Sequence, residues 1–267
     1  MPYAISGDAK LYYQSTGPSA GPSAGSSVGG APALVFAHGA GGNAASWWQQ
    51  VPAFMNRYRV VSFDHRGFGR SSCTDFNARH FDADLIAVLD AAGVERAAIV
   101  CQSMGGWTGV RTAALHPERV AALVLANTPG AVYSAALIEA MRNVKPFNSP
   151  DGLQHPAISA LFVRRDPAGA YLYNQLSALN PVRDDVGRGL MAREAFLTAG
   201  QLAAFNTPTL VIASEFDDLF PTALLRETAA MLRARMVEIA AAGHSTYFER
   251  PDAFNHVVAD FLNACGW

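Results

Sequence analysis

One serine stands in a setting typical of an enzymatic nucleophile. In residues 98–107, an apolar run ends at Ser103, and two glycines follow at Gly105 and Gly106. This order predicts a strand, a very tight turn and a helix, which is the nucleophile-elbow pattern G-x-S-x-G with Cys101 in place of the first glycine. Small residues around the serine let strand and helix approach closely while the serine backbone is strained. We therefore predict that Ser103 is a catalytic nucleophile.

A serine hydroxyl needs a base within hydrogen-bond reach, and the base needs a group that orients it. In an open α/β sheet the reactive groups collect at the carboxyl ends of the strands. The histidine best placed there is His244, after the last predicted strand. The acid is expected after the next-to-last strand, where Asp217 is favoured because Pro221 ends the turn that would hold it. Asp218 and Glu215 are the alternatives.

The developing oxyanion requires preorganised N–H donors. The amide of Met104 opens the helix after the nucleophile, and the amide of Ala40 lies in the glycine-rich loop that follows His38. We predict that these two amides form the oxyanion hole and that the His38 ring fixes the loop. A phosphate-binding loop is disfavoured, because the Lys-Ser/Thr ending of the P-loop is absent.

The elements that must hold these residues alternate along the chain. Strands are predicted at 10–16, 33–37, 58–63, 98–103, 120–126, 209–213 and 236–239, and helices at 44–56, 76–92, 104–116 and 222–235 and after Pro251. This alternation predicts an α/β fold with a mostly parallel, doubly wound sheet. Residues 128–206 contain six prolines between helical pieces and no strong strand. We predict that they form a helical cap inserted into a core made of residues 1–127 and 207–267.

Composition narrows the class of protein. With 267 residues, of which 50% are hydrophobic and 16% charged, the chain can bury a large core. A net charge of −2 offers no basic face for nucleic acid or an anionic membrane. Three cysteines form no disulfide framework, and no signal peptide or membrane-spanning run is visible. These features predict a cytoplasmic protein. The tract 17–31, almost entirely Gly, Pro, Ser and Ala, predicts a flexible surface loop.

The chain resembles the α/β-hydrolase superfamily over nearly its whole length. The matching pieces are His38-Gly39, residues 64–71, 103–106 and 116–127, Asp217 with Pro221, and Gly243-His244. The run 116–127 is similar to 3-oxoadipate enol-lactonases, and the run 248–255 is similar to those and to carbon–carbon bond hydrolases of aromatic degradation. Ser103, Asp217 and His244 also follow the chain order of a triad in this superfamily.

The resemblance implies a cofactor-independent serine hydrolase that cleaves an ester or lactone of a small, largely apolar substrate through an acyl-enzyme. Carbon–carbon hydrolysis, perhydrolysis and cofactor-free oxygenation are the alternatives within the superfamily. A non-catalytic small-molecule receptor is the alternative from another class, because fold alone does not fix function. The expected partner is a small-molecule substrate, and a homo-oligomer is compatible with the sequence.

Aromatic residues near these elements are candidates for the substrate pocket, with core packing as the alternative for each. They are Trp47, Trp107, Tyr133, Phe147, Phe162 and Tyr173. No metal site is expected, because the histidines and cysteines lack the spacing of ligand sets.

Overall fold

The computed structural model describes residues 2–18, 30–143 and 152–267. Within these residues, eight strands form one sheet in the order β1-β2-β4-β3-β5-β6-β7-β8. Their bounds are β1 Tyr3–Ser6, β2 Ala9–Thr16, β3 Ala33–Ala37, β4 Arg59–Phe63, β5 Ala97–Gln102, β6 Val120–Ala126, β7 Thr209–Ser214 and β8 Arg235–Ile239. The pairs from β4 to β8 are parallel, as predicted. The carboxyl ends of these strands therefore lie along one edge of the sheet.

The first strand is the element that the sequence did not reveal. β1 has four residues, pairs antiparallel with β2, and only Ala4 on it is buried. β2 in turn pairs antiparallel with β4. A strand of this length at the sheet edge has too few apolar positions to create a period-2 pattern, because edge strands bury little surface.

The helices follow the predicted alternation with shifted ends. Helix 76–92 starts later than predicted, and 44–56 is split into a short 3-10 turn at Ala44–Trp47 and a separate helix. Arg233, at φ +54°, ends the helix predicted over 222–235 early. The α-helices of the described residues are α1 Gln50–Phe54, α2 Phe81–Ala91, α3 Gly105–Leu115, α4 Ala135–Asn143, α5 Ala160–Arg165, α6 Pro167–Ala178, α7 Val186–Leu190, α8 Ala199–Ala204, α9 Thr222–Met231, α10 Thr246–Glu249 and α11 Pro251–Ala264.

Both faces of the central strands are covered. Successive residues of β3, such as Val35 and Phe36, are fully buried but belong to two different apolar clusters. One cluster includes residues of α2, α3 and α9, and the other includes residues of α1 and α11. Because neighbouring side chains on a strand point to opposite faces, this split places helices on both sides of the sheet. The doubly wound α/β architecture is confirmed.

Helices α4 to α8 lie between β6 and β7, in the segment 128–206, which we call the cap segment. No strand occurs in its described residues, 128–143 and 152–206. It is joined to the rest of the molecule by hydrogen bonds such as Trp107 Nε1–H to Leu190 O at 3.0 Å and Asn43 Nδ2–H to Leu176 O at 2.8 Å. Phe147 and most of the predicted flexible loop, residues 19–29, lie outside the described residues. None of the described helices is both long and apolar enough to cross a bilayer.

Candidate active site

Ser103 lies in the turn between β5 and α3, with its backbone in the left-handed region at φ +49°. Non-glycine residues rarely adopt this conformation, which costs free energy unless the surroundings enforce it. Here hydrogen bonds fix the turn on both sides, because Ser103 N–H donates to Ala126 O at 3.1 Å and Gly106 N–H donates to Ser103 O at 2.8 Å. The strain therefore presents the side chain at the carboxyl end of β5.

The glycines around Ser103 explain how Cys101 fits where the pattern has a glycine. A Cβ on Gly105 would lie 2.2 Å from Ala37 O, so helix α3 approaches β3 too closely for any side chain. A Cβ on Gly109 would lie 2.4 Å from the Cys101 sulfur. Gly109 lies one helical turn into α3. Because it has no side chain, the Cys101 thiol fits beside it.

His244 and Asp217 form a buried pair. Nδ1 of His244 lies 3.0 Å from Oδ1 and 3.1 Å from Oδ2 of Asp217, and both side chains are almost completely shielded from solvent. A carboxylate accepts only, so Nδ1 carries the proton and Nε2 keeps its lone pair. Nε2 is buried and has no hydrogen-bond partner in the described part of the chain. The imidazole is therefore oriented at one nitrogen and uncommitted at the other.

Asp217 is held by three further donors. Its Oδ1 accepts from the backbone N–H groups of Leu219 at 2.9 Å and Phe220 at 3.0 Å, and its Oδ2 accepts from Asn127 Nδ2 at 3.0 Å. Asp218, the first alternative for the acid, is exposed. Glu215, the second, is exposed and accepts from the Ala241 N–H. The carboxylate that the structure brings to His244 is that of Asp217.

Asn127 has a role that the sequence did not indicate. It follows β6 with a left-handed backbone at φ +52°, and its amide nitrogen also donates to Ser214 Oγ at 2.6 Å. Its carbonyl oxygen accepts from Thr246 Oγ1 at 2.7 Å. Asn127 thus connects the ends of β6 and β7 to the loop that carries His244.

The loop after β3 is fixed by His38. Its Nδ1 lies 2.8 Å from Gly39 O, and its Nε2 accepts from the His65 backbone N–H at 2.9 Å. Complete burial lowers the pKa of His38, which keeps the ring neutral and makes both contacts possible. A Cβ on Gly39 would lie 2.8 Å from Ser103 Cβ, so this loop runs directly against Ser103.

The amides of Ala40 and Met104 belong to the two backbone segments that meet at Ser103. Ala40 follows Gly39, and Met104 precedes the first residue of α3. Neither N–H donates a hydrogen bond within the described residues. Two uncommitted amides beside a serine are the arrangement required to bind an oxyanion.

The structure distributes the predicted pocket aromatics over different surroundings. Trp47 and Trp107 are fully buried, the first among Phe36, Tyr247 and Phe254. For Trp47 these neighbours match the core-packing alternative. Phe162 is also buried, against Phe248, whereas Tyr133 is 59% exposed.

Tyr173 is the predicted pocket residue that lies beside the site. Its hydroxyl is 2.9 Å from Ser245 Oγ, next to His244, and it would lie 2.9 Å from a Cβ on Gly41. It therefore bridges the loop after β3 and the loop after β8. The ring of His155, also from the cap segment, packs on it with the centroids 4.9 Å apart.

The site is covered in this structure, since Ser103 is 8% and His244 3% exposed. Two surface grooves of about 370 Å³ lie elsewhere and include none of the three triad candidates. Both grooves are open to solvent and lack a paired nucleophile and base, so we place the candidate functional site at Ser103. The described residues contain no cluster of three or more metal-binding side chains.

Comparisons with known proteins agree with this architecture. The model of the alpha/beta hydrolase fold family matches residues 32–251. A RutD protein of Pseudomonas savastanoi pv. phaseolicola, whose name proposes carbamate hydrolase activity, is 31% identical over 88% of this chain and 95% of its own.

Two solved structures are similar over almost the whole chain. The enol-lactonase from Burkholderia xenovorans LB400 has a TM-score of 0.74 and 26% identity, covering 98% of this chain and all of its own. Est816, described as an N-acyl homoserine lactone degrading enzyme, has a TM-score of 0.75 and 28% identity over 97% of this chain and all of its own. The match of one family model to more than half of the chain, together with this sheet, shows that the protein belongs to the α/β-hydrolase family.

Proposed function

We propose that this protein is a serine hydrolase that cleaves a carboxylic ester or lactone of a small, largely apolar substrate through an acyl-enzyme. The observation that carries the proposal is the buried His244–Asp217 pair, whose Nε2 is uncommitted, at the same sheet edge as the strained Ser103. A binding module has no need of an oriented base or of a serine held in a costly conformation.

The reaction follows from these groups. Oγ of Ser103 forms a bond with the substrate carbonyl carbon while Nε2 of His244 takes the hydroxyl proton, and the Ala40 and Met104 amides bind the oxyanion. The bond to the leaving oxygen breaks, and that oxygen receives the proton from His244. Water then adds to the acyl-enzyme with His244 as base again, which releases the acid and restores Ser103. Asp217 holds the imidazole and stabilises its protonated form.

The similar proteins support the substrate class. Enol-lactones and acyl homoserine lactones, named for two of them, are cyclic esters, and a carbamate also carries a carbonyl bonded to a heteroatom. Acyl transfer to a serine can cleave the bond between the carbonyl carbon and the heteroatom in all three compounds. We favour esters and lactones because two solved structures that cover 97% or more of this chain are named for lactones.

We assign substrate selection to the cap segment. It contributes Tyr173 and His155 next to the two loops of the site, and its helices are tied to the core by side chains such as Trp107. The core helices α2, α9 and α11, by contrast, pack on the faces of the sheet.

A fluorophosphonate probe tests the proposal directly. The wild-type protein should be labelled covalently at Ser103, whereas a receptor without catalytic machinery should not be labelled. Ser103→Ala should remain folded, should not label, and should lose roughly 10⁴-fold or more in turnover, because it removes the group that forms the acyl-enzyme. Retention of a tenth of the wild-type turnover would exclude Ser103 as the nucleophile.

The substrate class needs a separate measurement. Turnover of p-nitrophenyl esters of increasing acyl length should be compared with that of enol-lactones, acyl homoserine lactones and a p-nitrophenyl carbamate. The proposal expects kcat/KM for an ester or lactone to exceed that for the carbamate. If kcat/KM were higher for the carbamate, Ser103 would remain the proposed nucleophile, but carbamates would replace esters and lactones as the proposed substrate class.

A further inference from the structure

The carboxylate of Glu249 holds a position that the proposed chemistry does not use. The residue is 2% exposed, at the end of α10, in the segment that follows His244. Its Oε2 accepts from Gly243 N–H at 3.0 Å and from Ser159 Oγ at 2.6 Å, and its Oε1 accepts from Ser159 N–H at 2.9 Å. Burying a carboxylate is costly unless donors surround it. These three donors come from two separate parts of the molecule.

The first part is the peptide that leads into His244. While the N–H of Gly243 is bound by Glu249, its C=O accepts from Ser214 Oγ at 2.6 Å. Ser214 is the last residue of β7, so the peptide is held between α10 and the sheet. The backbone immediately before the base is therefore fixed at both of its polar groups.

The second part is the cap segment. Ser159 is the N-terminal capping residue of α5, and its Oγ also accepts from Phe162 N–H at 3.0 Å. A Cβ on Gly243 would lie 2.8 Å from both Ser159 N and Glu249 Oε1. The absence of a side chain at Gly243 therefore allows the start of α5 to sit directly on the histidine loop.

We propose that Glu249 is a positioning residue that fixes His244 and couples its position to the seating of α5. This inference rests on the proposed function, in which His244 is the base. With α5 seated, the carboxylate is oriented by Ser159 and fixes Gly243. If α5 is displaced, the Glu249 carboxylate loses the two donors of Ser159. The carboxylate is then held less firmly, and so is the Gly243 N–H that donates to it. The base is thus fully positioned only when the cap segment is in place.

Three variants and a matched control test this coupling. Glu249→Gln replaces one acceptor oxygen by a donor, Ser159→Ala removes the hydroxyl from the cap side, and the double variant combines them. The control is Glu215→Gln, because Glu215 also accepts a backbone N–H of the neighbouring loop, from Ala241 at 2.9 Å, but is exposed. Turnover of a short p-nitrophenyl ester, the rate of phosphonate labelling and thermal unfolding are measured for each protein.

We expect Glu249→Gln to lower kcat about 10- to 100-fold with little change in KM, because a small displacement of the base reduces reactivity more than binding. Ser159→Ala should lower kcat less, about three- to tenfold, because the Glu249 carboxylate loses one of its three donors and keeps the other two. The double variant should be no slower than Glu249→Gln alone, because the Ser159 hydroxyl acts through that carboxylate. The control should stay within twofold of wild type.

Failure of this inference differs from failure of the proposed function. If the wild-type protein is not labelled at Ser103, the function itself is wrong, and the inference falls with it. If the wild-type protein is labelled but folded Glu249→Gln keeps kcat within twofold, the positioning role is wrong. If Glu249→Gln does not fold, Ser159→Ala decides, since a kcat equal to that of the control would exclude the coupling. Multiplicative effects in the double variant would also exclude it.

Discussion

The strand-end loops and the cap segment are built differently. Ser103, Asp217 and His244 each follow a strand of the parallel sheet, and buried hydrogen bonds fix the loops that carry them. The cap segment consists, in its described part, of helices of 5 to 12 residues. Large apolar side chains remain exposed on it, among them Tyr133, Tyr171, Leu179 and Val182.

The difference shows which task each region can perform. Acyl transfer requires reacting groups held to a fraction of an ångström, and the sheet supplies that rigidity through buried strands whose ends cannot shift independently. The cap segment consists of short helices that are joined to the core through hydrogen bonds at residues such as Asn180 and Leu190, and we propose that this region selects the substrate. The variants below test whether rigidity and selection are divided in this way.

The largest effect is expected at the acid. Asp217→Asn should lower kcat roughly 10²- to 10⁴-fold, because an amide neither fixes the required tautomer of His244 nor stabilises its charge. Asp218→Asn, one position along the chain and exposed, should change kcat less than threefold. Steady-state kinetics of both variants with one ester check this expectation. The opposite ranking would move the acid to Asp218.

A stability effect should come from the cap side of the site. Burial, aided by the nearby His244, lowers the pKa of His155 to about 4, whereas the unfolded chain titrates near 6.5. Between these values the unfolded state binds more protons than the folded state, so stability increases with pH. The contribution, at most about 3 kcal/mol, is complete above pH 6.5 and is lost as the pH falls to 4.

Urea unfolding between pH 7 and pH 4 measures this slope. His155→Asn keeps an acceptor for the Ala157 N–H and removes the titrating ring, so its free energy of unfolding should depend less on pH. An unchanged slope would show that His155 is not responsible for it. His38 and His65, whose pKa values burial lowers, also contribute to the slope, as do Asp8 and Asp185, whose pKa values hydrogen bonds lower.

A smaller effect should follow from packing at the elbow. Gly109→Ala places a methyl group where it would lie 2.4 Å from the Cys101 sulfur, and overpacking of this kind costs about 1–3 kcal/mol. Adding Cys101→Gly should restore part of the lost stability, because it vacates the contested volume. Thermal unfolding of the wild-type protein, the two single variants and the double variant gives a double-mutant cycle. If the changes in stability of the two single variants simply added in the double variant, the side chains at positions 101 and 109 would not compete for the same volume.

The smallest effect is expected from Tyr173→Phe. Removal of the hydroxyl beside Ser245 should change the ratio of kcat/KM between short and long acyl esters by up to about tenfold, while small-phosphonate labelling changes little. Phe162→Leu, within the buried cluster against Phe248, serves as the packing control. A Tyr173→Phe protein that loses labelling but keeps its chain-length preference would assign this cap residue to catalysis instead of selection.

The sequence predicted the core well because its signals are local. Apolar runs such as 33–37 and 120–126 end at the same residues as the strands, since buried parallel strands must be continuously apolar. The pairing of His244 with Asp217 was also expected, because each follows a predicted strand and Pro221 ends the turn after Asp217, and the structure brings these two side chains together.

What the sequence did not reveal depends on contacts between distant residues. Asn127 lies 90 positions before Asp217, and nothing in its local pattern indicates an amide that holds an acid. Trp47 was a pocket candidate because it lies near the glycine-rich loop, whereas the structure packs its ring among Phe36, Tyr247 and Phe254. These contacts join residues that are far apart in the chain, so the local pattern does not show them.

Both ring nitrogens of His38 already take part in hydrogen bonds, and this limits the proton transfers that the ring can perform. The loop beside Ser103 carries an imidazole whose proton is engaged by Gly39 O and whose lone pair is engaged by the His65 N–H. That ring can neither accept a proton from the serine nor release one to a leaving group without breaking the loop. In the described part of the chain, Nε2 of His244 is buried and has no hydrogen-bond partner. In the mechanism that we propose, the proton of Ser103 therefore passes to Nε2 of His244 and not to His38, and the same nitrogen later returns it.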